Sequence, residues 1–205
     1  MWKVSTFLLL LSIVGLSSAT STPNSFSSEG IELPDIQHVG GVQLKRNGHG
    51  VRSINFFGMD IKVYVAGFYS ESPLLSHEDV MNSHGESPMQ MDFTFLRSVG
   101  KSRVISAWTQ QLEHSVSYRY DGYEKDRDSF IDMFASPIAY RGTQTVQLIG
   151  DNTVIVDQGV HKGHIPGKNF QQAFLSMWFG ERAVAEDLKA GLLDGAAHRN
   201  EPALA

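Results

Sequence analysis

The chain has 205 residues, 41% apolar and 19% charged, with 17 basic against 22 acidic side chains and a net charge of -5. These values describe one globular domain with a sizeable core. They exclude a disordered chain and a general nucleic-acid binder, which needs basic surface against phosphate. Cysteine is absent, which excludes disulfides, thiolate nucleophiles, iron–sulfur clusters and Cys-ligated zinc.

The chain opens with Lys3, an apolar run from Phe7 to Leu16, and the small residues Ser17-Ser18-Ala19. That order predicts a signal peptide over residues 1–21, with cleavage after Ala19. The run is about half of the roughly 20 apolar residues that a membrane span needs, so no span is expected in the mature form. The address is a secretory-type pathway leading to secretion, an endomembrane lumen, a periplasm or a plastid. No Asn-x-Ser/Thr acceptor occurs to point to a eukaryotic secretory lumen. Residues 22–30 are Ser/Thr-rich and predict a flexible linker. The folded domain is expected over 31–194 and a disordered tail over 195–205.

Val51 to Phe57 and Ile61 to Tyr69 are rich in β-branched and aromatic residues around Gly58, a hairpin signal. Gln90 to Leu96 alternates as a strand. Val104, Ile105, Trp108 and Leu112 form an apolar stripe at helical spacing, as do Phe130, Ile131 and Phe134, with Pro137 beyond. Gln144 to Ile149 and Thr153 to Asp157 flank Gly150-Asp151-Asn152 as a second hairpin, and Val160 to Ile165 reads as a further strand. The strongest helical stripe is Phe170, Ala173, Phe174, Met177 and Trp178. Val184, Leu188, Leu192 and Leu193 follow, with Gly195 as the expected C-cap. Strands and helices do not alternate one for one. The fold class is therefore α+β, a large antiparallel sheet with a layer of helices on one face.

Most motifs fail on context. Gly48-His49-Gly50 leads into a strand rather than from a strand into a helix, so it is no dinucleotide loop. Gly163 to Lys168 is one residue short of a phosphate loop and lacks the following Ser/Thr. His161 and His164 lack a third ligand at a suitable spacing, so no metal site is expected. There is no Gly-x-Ser-x-Gly elbow. Asp126 and Asp128 read as a solvated helix start. No cofactor is expected.

Gly48, Gly50, Arg52, Lys62, Gly67, Tyr69 and Glu71 follow the pattern of the chalcone isomerase superfamily, and Asn169 to Leu193, with Gly180-Glu181 and Asp187-Leu188-Lys189, resembles its C-terminal helices. The resemblance implies an open-faced β-sandwich with a cleft between sheet and helices. It also implies one of two functions. The first is an isomerase, an intramolecular lyase that closes a chalcone into a flavanone. The second is a non-catalytic member that resembles fatty-acid-binding proteins. Of the enzyme's polar residues only the arginine has a match, Arg52. The others fall on Tyr64, Lys101, Trp108 and Met177. The non-catalytic members hold a carboxylate with an arginine and a tyrosine, a pair matched by Arg52 and Tyr64.

The expected function is thus binding of a fatty acid or similar apolar carboxylate, or of a phenolic ligand. Arg52, Tyr64, Trp108, Phe174 and Met177 are the candidate ligand-binding residues, and Arg52 is the catalytic residue if the protein is an enzyme. A guanidinium on an apolar strand face needs a partner, and its planar fork suits a carboxylate. Hairpin register decides the pairing. A two-residue Gly58-Met59 loop segregates apolar from polar residues but puts Tyr64 on the face opposite Arg52. A three-residue Phe57-Gly58-Met59 loop, or a β-bulge, places them together.

Overall fold

The computed structural model describes residues 25–115 and 119–195. The expected signal peptide, and all of the expected tail but Gly195, lie outside the described residues. Two short strands, β1 (Ser25–Ser28) and β2 (Ile31–Pro34), pair with each other. Seven more form one curled antiparallel sheet in chain order: β3 (Ile36–Val39), β4 (Val42–Phe56), β5 (Met59–Ser70), β6 (Met89–Phe95), β7 (Thr143–Ile149), β8 (Asn152–Asp157) and β9 (Val160–Pro166). Against it pack α1 (His77–Ser83), α2 (Lys101–Ser115), α3 (Tyr123–Met133), α4 (Lys168–Phe179) and α5 (Glu186–Leu192). The α+β sheet-and-helix-layer architecture expected from the sequence is present.

The helix-side core joins alternate strand residues to helical stripes. Phe68, Met91 and Phe93 come from the sheet, and Trp108, Phe130, Phe134, Phe174 and Trp178 from the helices. Helix α4 is buried at nine of its 12 positions, because it lies between the sheet and the other helices. Phe170, Phe174 and Trp178, four residues apart, run along one ridge of it. Phe130 meets both Phe170 (5.4 Å) and Phe174 (5.8 Å), and Phe174 meets Trp178 (4.7 Å). That spacing carries Trp178 to the end of the core next to β5 and β6.

The other face of the sheet is covered in part by the β1–β2 hairpin, whose Ile31 and Leu33 pack on Val65. This corrects the expectation of a flexible linker over 22–30 as far as residues 25–30 are described. The segment is poor in apolar residues, but its backbone is satisfied by the ladder to β2, and Glu29 and Gly30 turn it with positive φ of 53° and 71°. Phe26 anchors it against the His49 ring at 4.3 Å, beneath the Arg46 guanidinium. At the other end, Leu193 rather than Gly195 caps α5.

The Gly48-His49-Gly50 segment lies inside β4, and its glycines serve packing. A Cβ on Gly48 would fall 2.2 Å from the Gly191 carbonyl oxygen, and one on Gly50 would fall 2.6 Å from Leu188 Cδ1. The backbone of α5 therefore rests directly on the strand. Asn47, one residue earlier, ties the same helix down. Its amide donates to the Leu192 carbonyl (2.9 Å) and to the Leu74 carbonyl (2.8 Å), and its oxygen accepts from the Leu74 N–H. Gly48, Gly50, Arg52 and Ile54 share one face of β4 by strand parity. The first two lie under α5, and the next two emerge beyond it into open space.

Candidate functional site

That space is a cleft of about 860 Å³ between β4–β6 and α2, within the usual range for small-molecule pockets. Its apolar wall includes Ile54, Val63, Phe93, Phe95, Val104, Trp108, Trp178 and Val184. Arg52 and Tyr64 lie in the same wall, and Gln110, Gln111, Glu113 and His114 supply polar groups along α2.

The turn next to Arg52 and Tyr64 is neither of the two loops weighed from the sequence, and the two are brought together by the other alternative, a β-bulge. The turn is Phe57-Gly58, with φ of 49° and 80°, the left-handed pair of a two-residue type I′ hairpin. From there Phe56 faces Met59, Ile54 faces Ile61 and Ser53 faces Lys62. A bulge then inserts Val63, and Arg52 faces Tyr64. Directly opposite residues share a face, so both side chains point into the cleft, and the bulge lets Val63 and Tyr64 line it together although they are consecutive.

Arg52 is half-buried, and one of its N–H groups donates to the Ser53 carbonyl. Among the described residues no carboxylate lies within ion-pair distance of it. Glu113, the acidic group in the cleft lining, faces Arg127 at 3.7 Å. Tyr64 packs edge-on against Phe93 at 5.4 Å. Burial pushes its phenol up to about 12, while the Trp178 indole and the Arg52 charge pull the other way. The hydroxyl is therefore a neutral hydrogen-bond donor at physiological pH. A guanidinium and a phenol side by side in an apolar cleft can hold one carboxylate by charge-assisted hydrogen bonds.

Of the five side chains expected to line the ligand, the structure brings three together in the cleft wall: Arg52, Tyr64 and Trp108. Trp108 contributes an apolar surface, since its indole N–H donates to Gln144 Oε1 (3.2 Å) and its ring stacks on Phe134 at 5.3 Å. Phe174 and Met177 do not line the cleft. Both are fully buried in the core, because on α4 the ridge position that reaches the cleft is 178. Sequence reasoning placed Trp178 in the helical stripe that could line the pocket without singling it out, and it missed Phe93 and Phe95 as wall residues. The alternation Met91, Phe93, Phe95 on β6 marked the face of the last two, but not which end of that face stays open.

A family model described as chalcone isomerase-like matches residues 25–194. The chain belongs to the chalcone isomerase-like family. The family match begins at β1, in keeping with the ordered β1–β2 hairpin. No curated protein matches this chalcone isomerase-like chain. Among solved structures, its fold is similar to that of a fatty-acid binding protein from Arabidopsis thaliana. The TM-score is 0.68 at 16% identity, over 85% of this chain and 98% of that one. No helix among the described residues is long and apolar enough to cross a membrane.

Proposed function

We propose that this protein binds a fatty acid or a similar apolar carboxylate in the cleft without transforming it. The carboxylate sits between Arg52 and Tyr64, and the chain lies along the aromatic and aliphatic wall. The observation that carries this reading is the half-buried guanidinium of Arg52, which has no carboxylate within ion-pair distance among the described residues and faces Tyr64 inside an apolar cleft. An unpaired charge in such a place is unfavourable until an anion joins it. The similarity to a plant fatty-acid binding protein supports the same ligand class. Binding rather than catalysis is supported by two of the positions that match the enzyme's other polar residues: Trp108 has its N–H engaged in the core, and Met177 is away from the cleft.

The test is native mass spectrometry of the purified chain, followed by extraction and identification of anything bound. A fatty acid should co-purify with the wild type. Arg52→Ala should lose it, with affinity down about a hundredfold, the cost of removing one partner of a charge-assisted pair. Arg52→Lys should fall between the two, because it keeps the charge but loses the fork. An empty wild type that takes up no added fatty acid would end the proposal. Arg52-dependent turnover of a chalcone would replace it with an isomerase of the chalcone type.

A further inference from the structure

Beyond Arg52 and Tyr64 the cleft face of the β4–β5 hairpin continues outward with none of the described helices over it. Its next pairs are Ile54 with Ile61 and Phe56 with Met59, and Phe57 stands in the turn. Ile54 is 43% exposed, Phe56 53%, Met59 61% and Phe57 89%. The opposite face carries the polar pairs Ser53 with Lys62 and Asn55 with Asp60. The hairpin tip is thus a two-sided finger, apolar toward the cleft and polar behind, and Ile54 belongs both to the tip and to the cleft wall.

Phe57 adds a second observation. A bulky residue at φ of 49° is strained, and an asparagine would suit the first position of this turn far better. The turn tolerates an aromatic there, and that aromatic is almost wholly exposed. Strain held at an exposed position points to a use for the side chain. Charge gives a third. Exposed Arg97, Lys101 and Arg103 follow β6 at the same end of the sheet, where the Leu96 N–H bonds the Val63 carbonyl. The acid of the tip, Asp60, accepts from the Asn55 amide at 3.3 Å.

We propose that this finger docks the protein on an anionic lipid bilayer, so that the apolar face between Phe57 and Arg52 joins the lipid phase to the cleft. A finger of about five apolar side chains is too small for a stable protein interface, which takes roughly 800 Å² from each partner. It suits insertion of a few side chains between headgroups, with cations around it on the anionic surface. The proposal deepens the carboxylate-binding reading and rests on it only for the cargo. Docking itself stands or falls separately.

The chain has no cysteine, so one introduced cysteine labels one site. Met59→Cys at the tip, and Asp151→Cys in the turn at the far end of the sheet, each carry a polarity-sensitive dye. Both are mixed with vesicles of equal parts phosphatidylcholine and phosphatidylglycerol. The dye at 59 should shift to the blue and the dye at 151 should not. Phe56→Ser with Phe57→Asn in the labelled chain should weaken vesicle binding at least about tenfold, the loss expected for two inserted rings. The melting temperature of this variant should be unchanged or higher, and its fatty-acid affinity in vesicle-free buffer unchanged. Absence of a shift at 59, equal shifts at both sites, or vesicle binding untouched by the double substitution would overturn docking. So would a shift at 59 that grows with protein concentration without vesicles, which would mean that a second copy covers the finger. Vesicle docking without fatty-acid uptake in buffer would support the finger and refute the cargo.

Discussion

Tyr64 shows how one side chain is given a role by its surroundings. Its folded-state pKa is raised from 10.0 to about 12, chiefly by burial, so folding favours the protonated phenol. Its contribution to stability is therefore intact below pH 10 and is lost as pH rises through about 12. Denaturant melts across that window should show an alkaline loss of stability that Tyr64→Phe makes shallower. At neutral pH the same substitution should weaken carboxylate binding by roughly tenfold or more, the worth of a hydrogen bond to a charged group. Equal alkaline losses in the two proteins would mean that Tyr64 titrates freely. Tyr64 was named from the family resemblance, which pairs an arginine with a tyrosine, whereas alternation by itself favoured a register that sets the two on opposite faces. Trp178 was not singled out, because a stripe containing Phe174, Met177 and Trp178 does not say which of its members ends at the cleft.

Among the elements, β4 does the most to shape the site, and its glycines divide labour with Arg52. Gly48 and Gly50 let α5 lie on the strand, and the next residue on that face is where the helix cover stops. Gly48→Ala sets a methyl against two backbone carbonyls, those of Gly191 and Leu192, which cannot step aside as a side chain would. It should destabilise the fold by about 1–3 kcal/mol in a urea titration, the usual cost of overpacking. Gly50→Ala meets the end of the Leu188 side chain at 2.6 Å, with the Leu188 backbone no nearer than 3.3 Å, and should cost less. Equal and negligible costs would show that α5 is held elsewhere. The periodic helices α2 to α5 and the strands from Val51 onward were readable from apolar spacing. The register was not. Alternation favours a regular ladder, whereas the chain places its turn at Phe57-Gly58 and absorbs one extra residue at Val63. Strands β1 to β3 were missed because they are four residues each and show too little alternation. The Gly40-Gly41 pair, with φ of 58° and 83°, was the available turn signal for β3 and β4. The Ser76 to Asp79 capping box was the signal for α1.

On the scale of the whole molecule, the cleft opens between two parts of the fold that the ligand would join, the β4–β6 sheet and helix α2. A ligand that binds only the folded chain adds stability by mass action, about 2.7 kcal/mol at a hundred times its dissociation constant. Added oleate should therefore raise the melting temperature of the wild type by several degrees and leave that of Arg52→Ala where it was. Equal shifts in both would mean that the fatty acid acts on the apolar wall or the exposed finger alone, without its head group on Arg52. The sheet with one helix layer followed from the sequence because helical and strand periods occur in blocks. The size of the cleft did not, because an open cavity depends on where a helix ends over a sheet, and periodicity carries no information about that.

The extra residue at Val63 has a consequence for how such a molecule can change. Taking Val63 out would leave Arg52 opposite Tyr64 and Ser53 opposite Lys62, the pairs it already separates. The ladder needs no rethreading. The deletion would remove one side chain of the cleft wall, the carbonyl that accepts from the Leu96 N–H and the added local twist of a bulge, and with the twist the angle at which the hairpin leaves the body of the protein. One codon thus acts as a wedge that sets the angle of the hairpin while the pairing of Arg52 with Tyr64 stays in place.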